Sequence, residues 1–181
     1  MLFRRFFERR QRERVASDLY LSAVSQARQP VYYAHLGVPD TLEGRYDMII
    51  LYVWMIMRRL GRAGGEGGEA LSRAMVELMF ADMDRNLREM GVTDLRVGKR
   101  VLNMAEAFYG RAGAYDRALA DGDDALAAAL ERNVYQSGTP QAGQPAALAT
   151  HVRAQLAHLD SLDADALCEG KVSFPQIEVQ P

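Results

Sequence analysis

Three histidines, one cysteine and a short acidic run carry most of the chemistry that this 181-residue chain could perform. His151 and His158 stand seven positions apart, which on a helix is two turns or roughly 10 Å along the axis, too far to share one metal ion. His35 is isolated. The run Asp121, Gly122, Asp123, Asp124 invites a calcium loop, but a loop opening at Asp121 needs a glutamate at its twelfth position, where Arg132 stands. Helix capping accounts for that run better. Asp82 and Asp84 flank Met83, and helix positions two apart do not face each other, so they read as a solvated face and not as a metal pair. Cys168 has no second cysteine to pair with and no activating neighbour. No GxSxG, HExxH or GxxxxGK string is present, and GGEGGE lacks the lysine and preceding strand of a phosphate loop. Catalysis, a cofactor and a metal centre are therefore not expected.

A different chemistry sits at the start. Residues 1–14 hold six arginines against Glu8 and Glu13, a net +4, which leaves −6 for the rest of a chain whose net charge is −2. Only Lys99 and Lys171 among the 22 basic residues are lysines, and arginine is the better partner for carboxylate, phosphate or an aromatic face. As a helix, MLFRRFFERRQRER sets Phe3, Phe6 and Phe7 beside a collar that includes Arg4, Arg5, Arg9 and Arg10, the pattern of a segment lying in a membrane interface. The same residues suit RNA phosphates, or a helix whose phenylalanines pack on its own domain. No apolar core of a secretory signal is found there, and Glu8 and Glu13 argue against a transit peptide.

The elements that must position these residues read as helices. The ten apolar residues from Met48 to Met57 are too few for a spanning segment, which needs about 20. Pro39, Asp40 as N-cap and Glu43 before them, and Arg58, Arg59 and Gly61 after them, predict a buried helix over about 41–60. Its polar groups Arg45, Tyr52 and Arg59 are seven apart and form one buried polar stripe. A glycine-rich linker is expected at 61–69. Val76, Phe80, Met83, Leu87 and Met90 then mark an amphipathic helix stopped by Gly91, with outer pairs Asp84–Arg88 and Arg85–Glu89. Another helix opens at Asp94, with Val97, Val101, Met104, Ala105 and Phe108 as its stripe, a bend at 110–113 and a break at Asp121–Gly122. Leu126, Leu130 and Val134 line the next. After a loop at 137–145, Leu148, Val152, Leu156 and Leu159 share a face, and Ser161 is placed to cap a short helix ending at Cys168. The methionines read as core filler, or as an adaptable surface where exposed.

The expected fold is all-α, a single-domain bundle of about six to eight helices with an amphipathic N-terminal helix. Its parts are a basic helical segment at 1–30, a helical domain at 31–170 and an extended, poorly anchored tail at 171–181.

Four strings taken together, LYVWMIMRRL, FADMDRNLREMGV, AFYGRAGAYDRALADGDDALAAALERNVY and HVRAQLAHLDSLDADALCEGKVSF, resemble the ubiquinol-cytochrome c chaperone family over about residues 37–174. The resemblance implies a non-enzymatic assembly chaperone of respiratory complex III that holds newly made cytochrome b. It further implies a small co-chaperone and the ribosome as partners. An anionic membrane surface is a partner expected from the N-terminal arginines, and with no long targeting extension the chain reads as bacterial and peripheral to the cytoplasmic side of the inner membrane. Carried over by position, the family's aromatic motif falls on Val53, Trp54, Met55 and Arg59, and Tyr52 stands where mitochondrial members tend to carry histidine. Its tyrosine–aspartate pair falls on Tyr115 and Asp116, and the following acidic cap and alanine-rich helix on Asp123, Asp124 and Leu126 to Arg132. Client or partner binding is accordingly expected at Tyr109, Tyr115, Asp116, Asp123 and Arg132. The alternative is a helical adaptor for the ribosome, RNA or a membrane surface, with no dedicated client.

Overall fold

A computed structural model describes residues 2–63, 65–91 and 93–175, with side chains from residue 7 onward except at 63 and 94–96. Its elements are α1 (Leu2–Ala27), α2 (Pro30–Ala34), α3 (Leu42–Ala63), α4 (Gly65–Glu89), α5 (Asp94–Asp121), α6 (Asp123–Val134), α7 (Gln144–Ser161) and α8 (Ala164–Cys168). There is no strand among the described residues, so the all-helical expectation holds.

The apolar run of α3 explains the architecture. Every residue from Met48 to Ile56 is buried, so the helix needs neighbours on all sides, and α1, α4, α5, α6, α7 and α8 supply them. Hydrophobic burial of this kind, at roughly 25 cal/mol per Å² of apolar surface, is the main term holding the bundle. Five of the methionines, at 48, 55, 75, 79 and 83, are buried core filler, whereas Met90 is exposed. No helix among the described residues is long and apolar enough to cross a membrane.

Several boundaries differ from those expected. Thr41, not Asp40, caps α3: its Oγ1 accepts from the Gly44 amide at 3.1 Å, while Asp40 pairs with Arg45 at 2.6 Å. The expected linker at 61–69 is helix on both sides of residue 64. Gly68 serves contact there, because a Cβ on it would run into the Leu60 carbonyl, so α4 starts directly against the end of α3. A Gly68→Ala substitution is expected to cost about 1–3 kcal/mol by overpacking. Gly67→Ala, which meets open space, is expected to be neutral or stabilising, and urea titrations of both variants check the pair of outcomes.

The bend expected at 110–113 is also absent: α5 runs through it, because Phe108, Ala112, Tyr115 and Ala118 keep one buried face. Packing outweighs a helix penalty of about 1 kcal/mol per glycine. The break at Gly122 is present, at φ 120°, where an L side chain would be strained. Asp163 caps α8 through its contact with the Asp165 amide, and Ser161 instead donates to the His158 carbonyl inside α7. Residues 171–175 carry no helix or strand and are anchored, since Val172 and Phe174 pack on the core and Gln155 donates to the Pro175 carbonyl at 3.2 Å; residues 176–181 of the expected tail lie outside those described.

Candidate functional site

The stripe Arg45, Tyr52, Arg59 resolves into three different environments. Arg45 lies at the exposed end of α3 and is not buried, a correction that follows from its place in the first turn beside Asp40. Tyr52 is fully buried, and Arg59 nearly so. Arg59 donates to the carbonyls of Leu159 and Leu162 at 2.8 and 2.7 Å, placing its cation on the negative end of α7.

Around Tyr52 the fold gathers a polar cluster that the sequence did not announce. The Tyr52 and Tyr32 hydroxyls hydrogen-bond one another, and both lie within reach of His151 Nε2, at 3.0 and 3.1 Å. The two hydroxyls carry two protons between them, so with one donated across the Tyr32–Tyr52 contact a neutral imidazole with a bare Nε2 accepts the other. Burial holds the imidazole in that form by pushing His151 down to about 4, and it pushes Tyr32 up to about 12. The Phe174 ring closes edge-on over Tyr52 at 5.0 Å between centroids. Three distant segments meet here, so no local spacing could reveal it. His158 points elsewhere, to Ser173 at 3.3 Å, and no group of three or more potential metal ligands exists among the described residues.

A second buried polar contact joins α3 to α5, where Arg111 forms an ion pair with Asp47. Burial pushes the Asp47 carboxyl up to about 6, outweighing the downward pull of Arg111. Nearby Tyr115 is fully buried against Trp54, with ring centroids 5.1 Å apart. Tyr115 therefore belongs to the core and offers no surface to a partner, since it continues the inner face of α5.

The outer face of α5 is different. Leu102, Tyr109 and Asp116 follow one another at intervals of seven and are exposed, the first two at 60% and 59%. Tyr109 borders a shallow depression of about 340 Å³ with Met57, Gly61 and Val76. Asp116 pairs with Arg58 at 2.6 Å on the rim of a second depression of about 310 Å³, which Arg62 and Asp160 also border with a 2.9 Å pair. Asp123 lines neither depression but pairs with Arg153, which lines the second. Arg132 is exposed on α6 and lines neither depression. The structure thus sets Tyr109 and Asp116 on one face of α5, ties Asp123 to the second depression through Arg153, and leaves Arg132 without a contact to either.

Asp82 was expected on a solvated face, yet it accepts from the Tyr20 hydroxyl at 2.9 Å and ties α4 to α1. It also takes Arg85, at 3.4 Å, in place of the expected Arg85–Glu89 pair. The Asp84–Arg88 pair forms as expected, at 2.6 Å.

At the N-terminus, Phe3, Arg4, Arg5 and Phe6 belong to the α1 backbone, and their side chains lie outside those described. Phe7 is 76% exposed and residues 7–14 are all exposed, whereas Val15, Ala16, Leu19, Tyr20 and Ala23 are buried. Arg9 pairs with Glu13 at 2.8 Å. Phe7, Arg10, Arg14 and Val15 form one wall of a cleft of about 860 Å³, closed on the other side by Glu169 and Lys171.

This geometry has counterparts among known proteins. A ubiquinol-cytochrome c reductase complex assembly factor 1 from Homo sapiens is 30% identical over 168 residues, covering 92% of this chain and 56% of its own length. The chain thus spans little more than half of that protein. The Xenopus laevis protein of the same description is 29% identical over 165 residues, covering 90% of this chain and 82% of its own. The crystal structure of the Cbp3 homolog from Brucella abortus superposes with a TM-score of 0.83 at 33% identity, over 97% of each chain. The profile described as ubiquinol-cytochrome C chaperone matches residues 34–174, and the chain is a member of that family.

Proposed function

We propose that this chain is an assembly chaperone for ubiquinol-cytochrome c reductase, that its client is newly made cytochrome b, and that it performs no catalysis. The observation that carries the reading is the family match over 34–174, on a fold shared with the Cbp3 homolog along almost the whole chain. A chaperone of this kind works by covering apolar client surface until its proper partners arrive. The outer line of α5 suits that work: Leu102 and Tyr109 offer apolar area, and the Arg58–Asp116 and Asp123–Arg153 pairs border it with charges that set orientation. A small co-chaperone and the ribosome are further partners under this reading, at the cytoplasmic side of a bacterial inner membrane.

A photo-crosslinking residue placed at Tyr109 is expected to capture cytochrome b in cells, and one placed at Arg132 is not. A deletion strain is expected to lose mature reductase complex. Normal levels of the complex in that strain would sink the chaperone reading. Capture of cytochrome b from Arg132 but not from Tyr109 would leave the function standing and move the surface.

A further inference from the structure

We infer that the first half of α1 is a docking element for an anionic phospholipid surface, a role separate from whichever client the bundle holds. α1 is a single helix from Leu2 to Ala27, and among its described side chains residues 7–14 are all exposed while Val15 is the first that is buried. Residues 7–14 alone make roughly 12 Å of helix whose side chains the core does not use. A helical arm so exposed is worth its conformational cost only where something else receives it.

The chemistry of the arm states what that is. Residues 1–14 carry net +4 on a chain that is otherwise −6, so the arm is drawn to a negative surface that repels the remainder. Phosphate alone would be served by arginine alone. Here the arginines are interleaved with Phe3, Phe6 and Phe7, and Phe7 is 76% exposed, an apolar area that a phosphate backbone would leave in water. Beside it the cleft has Phe7, Arg10, Arg14 and Val15 in one wall, facing a Glu169–Lys171 pair on the other. Rings that enter the boundary between headgroup and acyl chain, and guanidinium groups that stay at headgroup level, satisfy both halves of the pattern at once. Lipid is favoured over RNA on that ground. The charge on the arm also excludes a second copy of the same arm as its occupant, since two such segments repel.

The full chain is tested by flotation with vesicles of phosphatidylcholine alone and of phosphatidylcholine with phosphatidylglycerol. Binding is expected only to the second kind, and is expected to fall steeply as salt rises. Arg12→Glu with Arg14→Glu is expected to weaken it more than about ten-fold, and Phe7→Ser about ten-fold. The charge-matched control Arg73→Glu with Arg132→Glu is expected to change it little. Residues 7–14 are exposed, so the arm variants are expected to keep the parent's helicity and thermal midpoint, and that measurement separates lost docking from lost folding. Equal binding to both vesicles, arm variants that float like the parent, single-stranded RNA captured in preference to vesicles, or a dimer abolished by Phe7→Ser would each overturn the assignment. Cytochrome b capture at Tyr109 is read separately, so neither result decides the other.

Discussion

Replacing Arg111 by alanine is expected to cost about 3–5 kcal/mol of folding stability, enough to unfold a marginally stable chain at growth temperature. The ion pair with Asp47 has only 6% of the aspartate side chain and 14% of the arginine side chain in contact with solvent. Neither charge is cheap to bury, and the aspartate remains when its partner is removed. Burial already pushes Asp47 up to about 6 with the arginine present, and without that opposing charge it is expected to rise further. The variant should therefore regain part of its stability in acid, where the carboxyl takes a proton and the cost of a buried charge disappears. Substituting both partners, as Asp47→Leu with Arg111→Met, is expected to restore most of the loss, because an apolar pair of similar volume avoids the desolvation cost. Urea titrations of the three proteins at neutral and acid pH decide the matter. A loss under about 1 kcal/mol for Arg111→Ala would show that Asp47 reaches water or another donor.

The second large effect is a pH dependence with its origin in the Tyr32–Tyr52–His151 cluster. The folded protein holds His151 at about 4, below its ordinary 6.5, because burial disfavours the imidazolium. Between those values the unfolded chain binds the proton and the folded chain does not, so stability rises with pH across this interval. The contribution is fully present above about 6.5 and is lost as pH falls toward about 4. Its size is about 3 kcal/mol, at 1.36 kcal/mol per pH unit of displacement.

Asp47 acts in the opposite sense. Its carboxyl is held at about 6 against an ordinary 3.8, so the folded state binds the extra proton between those values and stability falls as pH rises. The parent protein is therefore expected to show a shallow acid profile in which two slopes offset one another. His151→Gln should expose the Asp47 slope and make the variant gain stability as pH drops below 6. Asp47→Asn should expose the histidine slope and make the variant lose stability over the same range. Unfolding free energies at a series of pH values test both. A His151 ring that titrates near 6.5 by NMR would refute the account.

The boundaries the sequence revealed were those set by strong local chemistry. A ten-residue apolar run with arginines and glycine behind it predicted α3, Gly91 and Gly122 ended α4 and α5, and Pro145 opened α7. What stayed hidden depended on contacts between distant segments. Gly68 looked like part of a flexible linker, because a glycine that admits a neighbouring backbone has the same letter as one that admits a turn. Tyr115 looked like a partner-binding residue, and only the packing of α5 on Trp54 shows that it faces inward. The Tyr32–Tyr52–His151 cluster spans 20 and 99 positions, and no pattern within one helix encodes such a meeting. Asp47 offered the one usable hint, as an acid at the mouth of an apolar run that required a cation from elsewhere.

The length of α1 has a mechanical consequence. From Leu2 to Ala27 it has no proline and no break, and its second half is locked into the core by Val15, Leu19 and Ala23. A continuous helix without a joint passes torque from one end to the other, so the arm and the bundle are expected to tumble as one body. Whatever grips the arm therefore sets the heading of the Tyr109 face as well as its distance. A partner arriving at that face would meet a surface held at one angle, and the gain is in orientation, which saves entropy that two freely rotating molecules would otherwise lose on docking.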